Sequence, residues 1–329
     1  MKALVTGGSG FLGSHIVEIL QQRQVQVRVL VRRPQAQLSE RGIDVVEGDI
    51  RDPEAVNTAC DGMDVVFHTA AISGIWGPWR LFHAINTSGT RNVVSACVQQ
   101  HVPRLVYTSS PSVTFTGEHQ IHVNETVPYA RNWLCHYAHS KALAEQLVLQ
   151  ANDPPRLMTC ALRPHLLWGP GDRHLVPQLL NRARSGRLRR IGDGRNLVDH
   201  TFIDNAVWAH WQAAERLVPD SPVCGQAYFL SQDDPVNCWQ WINEILSLAG
   251  LPSVRRSISY ANAHRLGWIL ETYHEIFGLN RDPAMTRFLA AQLAKSHYFD
   301  IGRAKRDLGY RVRVTTSEGM ERLAKSLQR

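Results

Sequence analysis

Cysteine is scarce and unpaired in this 329-residue chain. The six thiols, Cys60, Cys97, Cys135, Cys160, Cys224 and Cys238, make no C-x-x-C spacing. That argues against a disulfide framework or a thiolate metal site, and no metal is expected. The cysteines read instead as buried thiols in a reducing compartment. No apolar run reaches membrane-spanning length, which argues against a transmembrane helix. No internal repeat or low-complexity segment is present. The formal net charge is +7, but the arginines are dispersed rather than blocked together. Nucleic-acid binding therefore has no support, and an anionic cofactor or an acidic substrate is the simpler use of the surplus. The first strand starts at the initiator Met, so no signal peptide is expected and a cytoplasmic location follows. Charged residues at 20% and apolar residues at 44% are those of a globular protein.

What is present begins at once. A short apolar run around Leu4 and Val5 leads into Thr6-Gly7-Gly8-Ser9-Gly10-Phe11-Leu12-Gly13. From His15 onward, Ile16, Val17, Ile19 and Leu20 suit a helix. The order strand, glycine turn, helix is that of a dinucleotide site. Gly7, Gly10 and Gly13 would allow the tight turn, the close approach of a pyrophosphate and the packing of helix on strand. The free N–H groups at the helix start, by Phe11 and Leu12, would face the phosphates.

Val25 to Val31 is a second strand, ending in Arg32 and Arg33. In such a fold this strand end meets the adenosine ribose. An acidic residue there would suit the 2′-hydroxyl of NAD, whereas arginine accommodates the 2′-phosphate of NADP. No Asp or Glu lies between Val29 and Arg33, so NADP(H) is favoured and NAD(H) is left open. Further strands are expected at Ile43–Val46, Asp64–Phe67, Arg104–Tyr107, Leu157–Leu162 and Tyr228–Leu230. Thr69, Ala70 and Ala71 follow the fourth strand and are small enough to let a cofactor approach. Strands alternating with helices predict an α/β, doubly wound parallel sheet.

Tyr137 and Lys141 stand four apart in a strongly helix-forming stretch, which puts hydroxyl and ammonium on one face. A phenol titrates near 10, too high for a base at neutral pH. A neighbouring ammonium and a cationic nicotinamide ring would favour the phenolate. A lowering of about three units corresponds to roughly 4 kcal/mol. Beyond the sheet, Arg182, Arg184, Arg187, Arg189 and Arg190 read as a solvated helix face or as a site for an anionic group. Leu266, Ile269, Leu270, Tyr273, Ile276 and Phe277 predict an amphipathic helix stopped near Gly278. It would be a core layer, a lid over an apolar substrate, or a helix lying weakly on a membrane surface.

With these residues placed, the chain resembles the extended short-chain dehydrogenase/reductase family, within it the 3β-hydroxysteroid dehydrogenase/isomerase-like branch. The likeness rests on the glycine turn, Asp49-Ile50, Ala70-Ala71, the Asn86 helix, Ser110, Tyr137-x-x-x-Lys141 and the stretch Leu162 to Asp172. It implies Tyr137 as the proton donor in reduction, Lys141 on the nicotinamide ribose, and Ser110 on the substrate oxygen. It also implies Asp49 and Ile50 beside the adenine and Pro164, His165 and Leu166 at the carboxamide end, with Asn86 and Thr108 in the cofactor site. Ile75, Trp76, Trp79 and Trp168 would wall the substrate.

The resulting expectation is an NAD(P)-dependent oxidoreductase acting on a bulky apolar ketone or alcohol, such as a 2-alkyl-3-oxo acid or a 3β-hydroxysteroid-like compound. A head-group carboxylate could use one of the arginines. The nucleotide unit would span 1–165 and 197–233, interleaved with a smaller, mostly helical substrate unit of 166–196 and 234–329, in a monomer or homodimer. One alternative is a nucleotide-sugar epimerase or dehydratase, its diphosphate held by the arginines of 182–195. Pro111 and Ser112 after Ser110 count against dehydration. The other is a non-catalytic NADP(H) sensor, which the Tyr/Lys pair disfavours.

Overall fold

The computed structural model describes residues 1–33 and 36–328. Eleven strands matter for the site. They are β1 (Lys2–Thr6), β2 (Gln26–Val31), β3 (Asp44–Glu47), β4 (Val65–His68), β5 (Arg104–Thr108), β6 (Gln120–Val123), β7 (Met158–Pro164), β8 (Leu197–Val198), β9 (Gln226–Leu230), β10 (Val236–Asn237) and β11 (His297–Phe299). Seven form one sheet in the order β9-β7-β5-β4-β1-β2-β3. Every pairing within it is parallel. Apart from the half-exposed edge strand β3, the strands are largely buried apolar runs, because helices cover both faces. This is the doubly wound α/β sheet expected from the alternation of strands and helices.

Six helices carry the rest of the argument. They are α1 (Phe11–Gln22), α2 (Gly89–Gln99), α3 (His136–Gln150), α4 (Ile203–Arg216), α5 (Tyr260–Ile276) and α6 (Arg287–Ala294). The order reverses beside β1, with β2 on one side and β4 on the other. Such a switch point opens a crevice at the carboxyl ends of the strands, where ligands bind in folds of this kind. The thiols of Cys60, Cys97, Cys135, Cys160 and Cys238 are buried and Cys224 is half-buried, all of them free.

A second sheet has no counterpart in the sequence reading. Its order is β10-β8-β11-β6. Gln120–Val123 and Leu197–Val198, expected with the nucleotide unit, pair here with His297–Phe299. The strands are two to four residues long. Such pieces carry no usable periodicity, which is why a mostly helical C-terminal region hid them.

Helix α5 forms close to where it was expected but with its polarity inverted. Its buried residues are Ala263, Gly267, Glu271 and His274. Leu266, Ile269, Tyr273, Ile276 and Phe277 face outward, Ile276 at 73% exposure. Two contacts explain the inversion. Glu271 accepts from the Arg287 backbone N–H at 2.7 Å and from its guanidinium at 2.5 Å. Gly267 lies so close to the turn entering α6 that a Cβ there would meet the Thr286 carbonyl carbon at 2.6 Å. A polar clamp and a missing side chain seat the helix, and its apolar stripe is left outside. Among the described residues, no helix is long and apolar enough to cross a membrane.

Gly267→Ala should therefore lift α5 from α6, costing about 1–3 kcal/mol, or roughly 2–6 °C in Tm. The dissociation constant for a nicotinamide dinucleotide should stay within about threefold, since distant sites act independently. Thermal melting and a cofactor titration check both halves. An unchanged Tm would show that the contact yields without strain.

Candidate active site

The glycine turn is built by contacts no side chain could enter. Gly7 has φ +73°, and a Cβ there would lie 2.8 Å from the Ala70 nitrogen. A Cβ on Gly13 would lie 2.2 Å from the Gly7 carbonyl oxygen. Thr69 donates to the Thr6 carbonyl at 2.8 Å, drawing the loop after β4 against the turn. Gly10 caps α1 without any side-chain bond, and no acidic residue occupies the first turn. The N–H groups of Phe11, Leu12 and Gly13 thus have no intrahelical acceptor. A cradle that a Cβ would fill, with free donors at a helix start, fits a dinucleotide pyrophosphate.

At the ribose corner, Arg32 and Arg33 are both exposed. Asp49 is engaged by Arg51, which donates twice to its carboxylate, at 3.0 and 2.8 Å. The Arg51 hydrogen bond holds the Asp49 carboxyl below its ordinary value against the effect of burial, and Arg32 adds to the pull. Arg51 was missed in the sequence, although it adjoins the Asp49-Ile50 pair. Ile50 is buried, packed against Gly89 at the start of α2.

Ser110, Tyr137, His165 and Leu166 line one cavity of about 380 Å³. Tyr137 and Lys141 lie one turn apart on α3. Burial pushes the Tyr137 phenol up to about 12, against the opposing pull of the Ser110 hydroxyl beside it. The expected lowering is therefore not produced by these side chains alone. The reason is where the ammonium points. Lys141 Nζ donates to the Thr108 carbonyl and sits 4.2 Å above the Tyr107 ring. Burial lowers Lys141 to about 7, with Glu145 pulling the other way.

The surroundings of this pair are closed and polar. His68 bridges the Thr6 and Thr90 hydroxyls at 2.7 and 2.8 Å, tying β4 to β1 and α2. Burial and the Lys141 charge hold its imidazole down to about 3. Asn86 spends its amide on the protein, bonding the Ile72 backbone and Ser140. Thr108 likewise spends its hydroxyl on His210 of α4. Both shape the site from behind. On the next turn of α3, Glu145 meets Arg163 of β7 at 2.9 Å and accepts from Tyr129 at 2.6 Å. Burial alone would raise the Glu145 carboxyl, but Arg163 holds it below its ordinary range.

Of the four residues expected to wall a substrate, two line this cavity. Ile75 and Trp76 line the cavity, and they also line a neighbouring chamber of about 330 Å³ reaching to Glu271, His274 and Arg287. Trp76 donates to the Leu279 carbonyl at 3.0 Å, which holds the partition in place. Trp79 faces elsewhere, stacked on His139 at 4.5 Å. Trp168 is a correction. It is fully buried in the core, donating to His200 at 2.9 Å and packed on Phe202 and Trp241. Burying an indole whose N–H finds a partner is a core device. Leu166 holds φ +41°, a strained conformation for leucine, at the turn out of β7 beside the cavity. The reading of the sequence missed Gln120, Phe288, Gln292, His297 and Phe299, which also line it. They come from the small sheet and from α6, which no local pattern announces. Arg184, Arg187, Arg189 and Arg190 are exposed and lie outside this cavity. Among the described residues lining it there is no Lys or Arg.

Comparison with known proteins narrows the class. The family model described as the 3-beta hydroxysteroid dehydrogenase/isomerase family matches residues 4–259. A 2-alkyl-3-oxoalkanoate reductase of Stenotrophomonas maltophilia is 45% identical over 328 residues, covering 99% of each chain. A Homo sapiens sterol-4-alpha-carboxylate 3-dehydrogenase, decarboxylating, is 35% identical, covering 99% of this chain and 88% of the relative. The solved UDP-glucose 4-epimerase of Thermus thermophilus with NAD superposes with a TM-score of 0.75 at 24% identity, covering 100% and 99%. That last likeness is one of fold.

The lowered Lys141 has a measurable consequence. The unfolded chain keeps this proton up to 10.5, the folded chain only to about 7. Stability should then fall as pH drops between those values, with the full penalty present below about 7. Lys141→Met removes that penalty. Its Tm at pH 6 should exceed that of the parent by about 2 °C or more, and the gain should vanish near pH 10. A variant less stable at pH 6 would mean that the ammonium is well solvated where it sits.

Proposed function

The chain belongs to the 3-beta hydroxysteroid dehydrogenase/isomerase family of extended short-chain dehydrogenases/reductases, and from that premise we propose that it is an NADP(H)-dependent reductase of 2-alkyl-3-oxo acids. The observation that carries the reading is the single cavity that holds Ser110 and Tyr137 beside apolar Ile75, Trp76, Leu166 and Phe288. A long alkyl ketone suits such a lining better than a charged sugar nucleotide, for which the cavity offers no arginine among the described residues.

The dinucleotide would lie with its pyrophosphate on the start of α1, its 2′-phosphate between Arg32 and Arg33, and its nicotinamide toward Tyr137. When bound it supplies the hydride. The residues of the chain do the rest. The Ser110 hydroxyl donates to the ketone oxygen and fixes its position. Tyr137 carries its proton at neutral pH, the state a donor needs, and passes it to that oxygen. Lys141 bonds the nicotinamide ribose and offsets the charge left on the phenolate. In this reading a nucleotide unit of 1–165 and 197–233 interleaves with a substrate unit of 166–196 and 234–329, and Gln120–Val123 and Leu197–Val198 go with the substrate side because they pair with His297–Phe299.

Two experiments test this. Tyr137→Phe should lower kcat by about 10²–10⁴, with NADPH affinity within about threefold of the parent as measured by fluorescence titration. Full activity would reject Tyr137 as donor. Arg32→Ala with Arg33→Ala should cut the NADPH-over-NADH preference in kcat/KM by roughly tenfold or more. A parent enzyme that uses NADH as well as NADPH would reject the cofactor assignment.

A further inference from the structure

The floor of the cavity is made of polar side chains that the reductase mechanism does not use. Gln120 on β6 and His297 on β11 are register partners on adjacent parallel strands. Strand neighbours in register turn their side chains to the same face. Both face the cavity, and His165 joins them from the turn after β7. The three are 6%, 2% and 6% exposed in that order. The His165 and His297 rings meet edge to face at 4.8 Å.

Each of these side chains keeps one buried polar atom without a partner among the described residues: Gln120 Oε1, His165 Nδ1 and His297 Nδ1. Buried polar atoms are ordinarily satisfied, so three orphans in one cavity ask for a ligand. Their character follows from the bonds already made. Gln120 Nε2 donates to the Thr114 carbonyl at 3.1 Å, which leaves its oxygen facing inward as an acceptor. His297 Nε2 donates to the Gln292 carbonyl at 2.8 Å, so Nδ1 of the neutral ring carries a lone pair. Two acceptors meet where no Lys or Arg lines the wall.

We propose that His297, with His165 and Gln120, receives the carboxyl group of the substrate together with one proton from solvent. The inference rests on the reading of the substrate as a 3-oxo acid. No covalent bond between heavy atoms changes. The proton resides between the carboxyl oxygen and His297 Nδ1, as acid and imidazole or as carboxylate and imidazolium, with the same count either way. The Gln120 oxygen and the second imidazole, both acceptors, face the proton-bearing side of this pair and favour its keeping the proton. An arginine is not needed, contrary to the expectation from the sequence.

The titratable groups around this point are consistent with it. His119 faces His297 from before β6, while His200 and Asp199 lie behind His165 after β8. His174, Asp282 and Tyr137 complete the lining. Burial holds His297 down to about 4 and depresses His165 as well. Both rings are therefore neutral at pH 7 until an acid brings the proton. Binding of an acid is then linked to proton uptake, whereas binding of a neutral alcohol is not.

Isothermal titration of the full chain loaded with NADPH, which cannot react with an alcohol, in buffers of different ionisation enthalpy at pH 7.5, counts that proton. The probes are a 2-alkyl-3-hydroxy acid and the matched secondary alcohol lacking the carboxyl. The acid should take up about one proton and the alcohol none. His297→Gln should abolish the uptake and weaken acid binding at least about tenfold, leaving the alcohol within about threefold. In turnover of the oxo acid, the same variant should raise KM with kcat nearly unchanged. Gln120→Leu should weaken the acid while keeping the proton, and it decides the matter with the parent's count if His297→Gln fails to fold. Acid binding without proton uptake, or uptake that survives in His297→Gln, overturns the inference even if ketones are reduced. Proton-linked acid binding in a protein that reduces no ketone upholds it and overturns the reductase reading instead.

Discussion

The arrangement depends on an ion pair that never meets water. Glu145 and Arg163 have side chains 0% and 4% exposed. Glu145 sits two turns after Tyr137 on α3, and Arg163 is the residue before Pro164 and His165 on β7. One bond thus orients both the helix that carries Tyr137 and Lys141 and the strand end that enters the cavity. Such a pair adds little net stability over an apolar pair of the same shape. Losing one partner strands a buried charge, at a cost of about 3–5 kcal/mol. Its value is geometric, because it couples helix register to cavity wall.

The same closed environment sets the chemistry. Burial pushes the Tyr137 phenol up and the Lys141 ammonium down, each toward its neutral form. A proton-bearing phenol is ready to donate. A lysine near neutrality can change its charge at small cost when an anionic cofactor arrives, since desolvation is what depresses it. His68, held between two threonines beneath, is kept uncharged and adds no competing cation.

How much of this the sequence disclosed follows from distance along the chain. Gly7, Gly10 and Gly13 lie within seven residues, and Tyr137 and Lys141 within one turn, so spacing alone announced them. The parallel sheet was legible because its strands are apolar and helices separate them. Trp168 misled because a tryptophan beside a Pro/Gly-rich exit looks like a wall, whereas its indole N–H had a buried partner in His200. Helix α5 misled because apolar spacing predicts burial only where a core is waiting. Glu271 and Gly267 fixed its orientation first. The cavity floor was invisible, since Gln120 and His297 owe their meeting to strand pairing alone.

That pairing also bears on how the protein is made. The neighbouring bond from Ser296 to His119 closes a separation of 177 residues. Five of the seven main-sheet strands precede residue 109. At about 5–20 residues per second of synthesis, the nascent chain carries its glycine cradle for on the order of ten seconds or more before β11 emerges. These five strands are thus available to pair before His297 can close the cavity floor. Order of emergence, as much as energy, brings the glycine cradle together before the cavity floor.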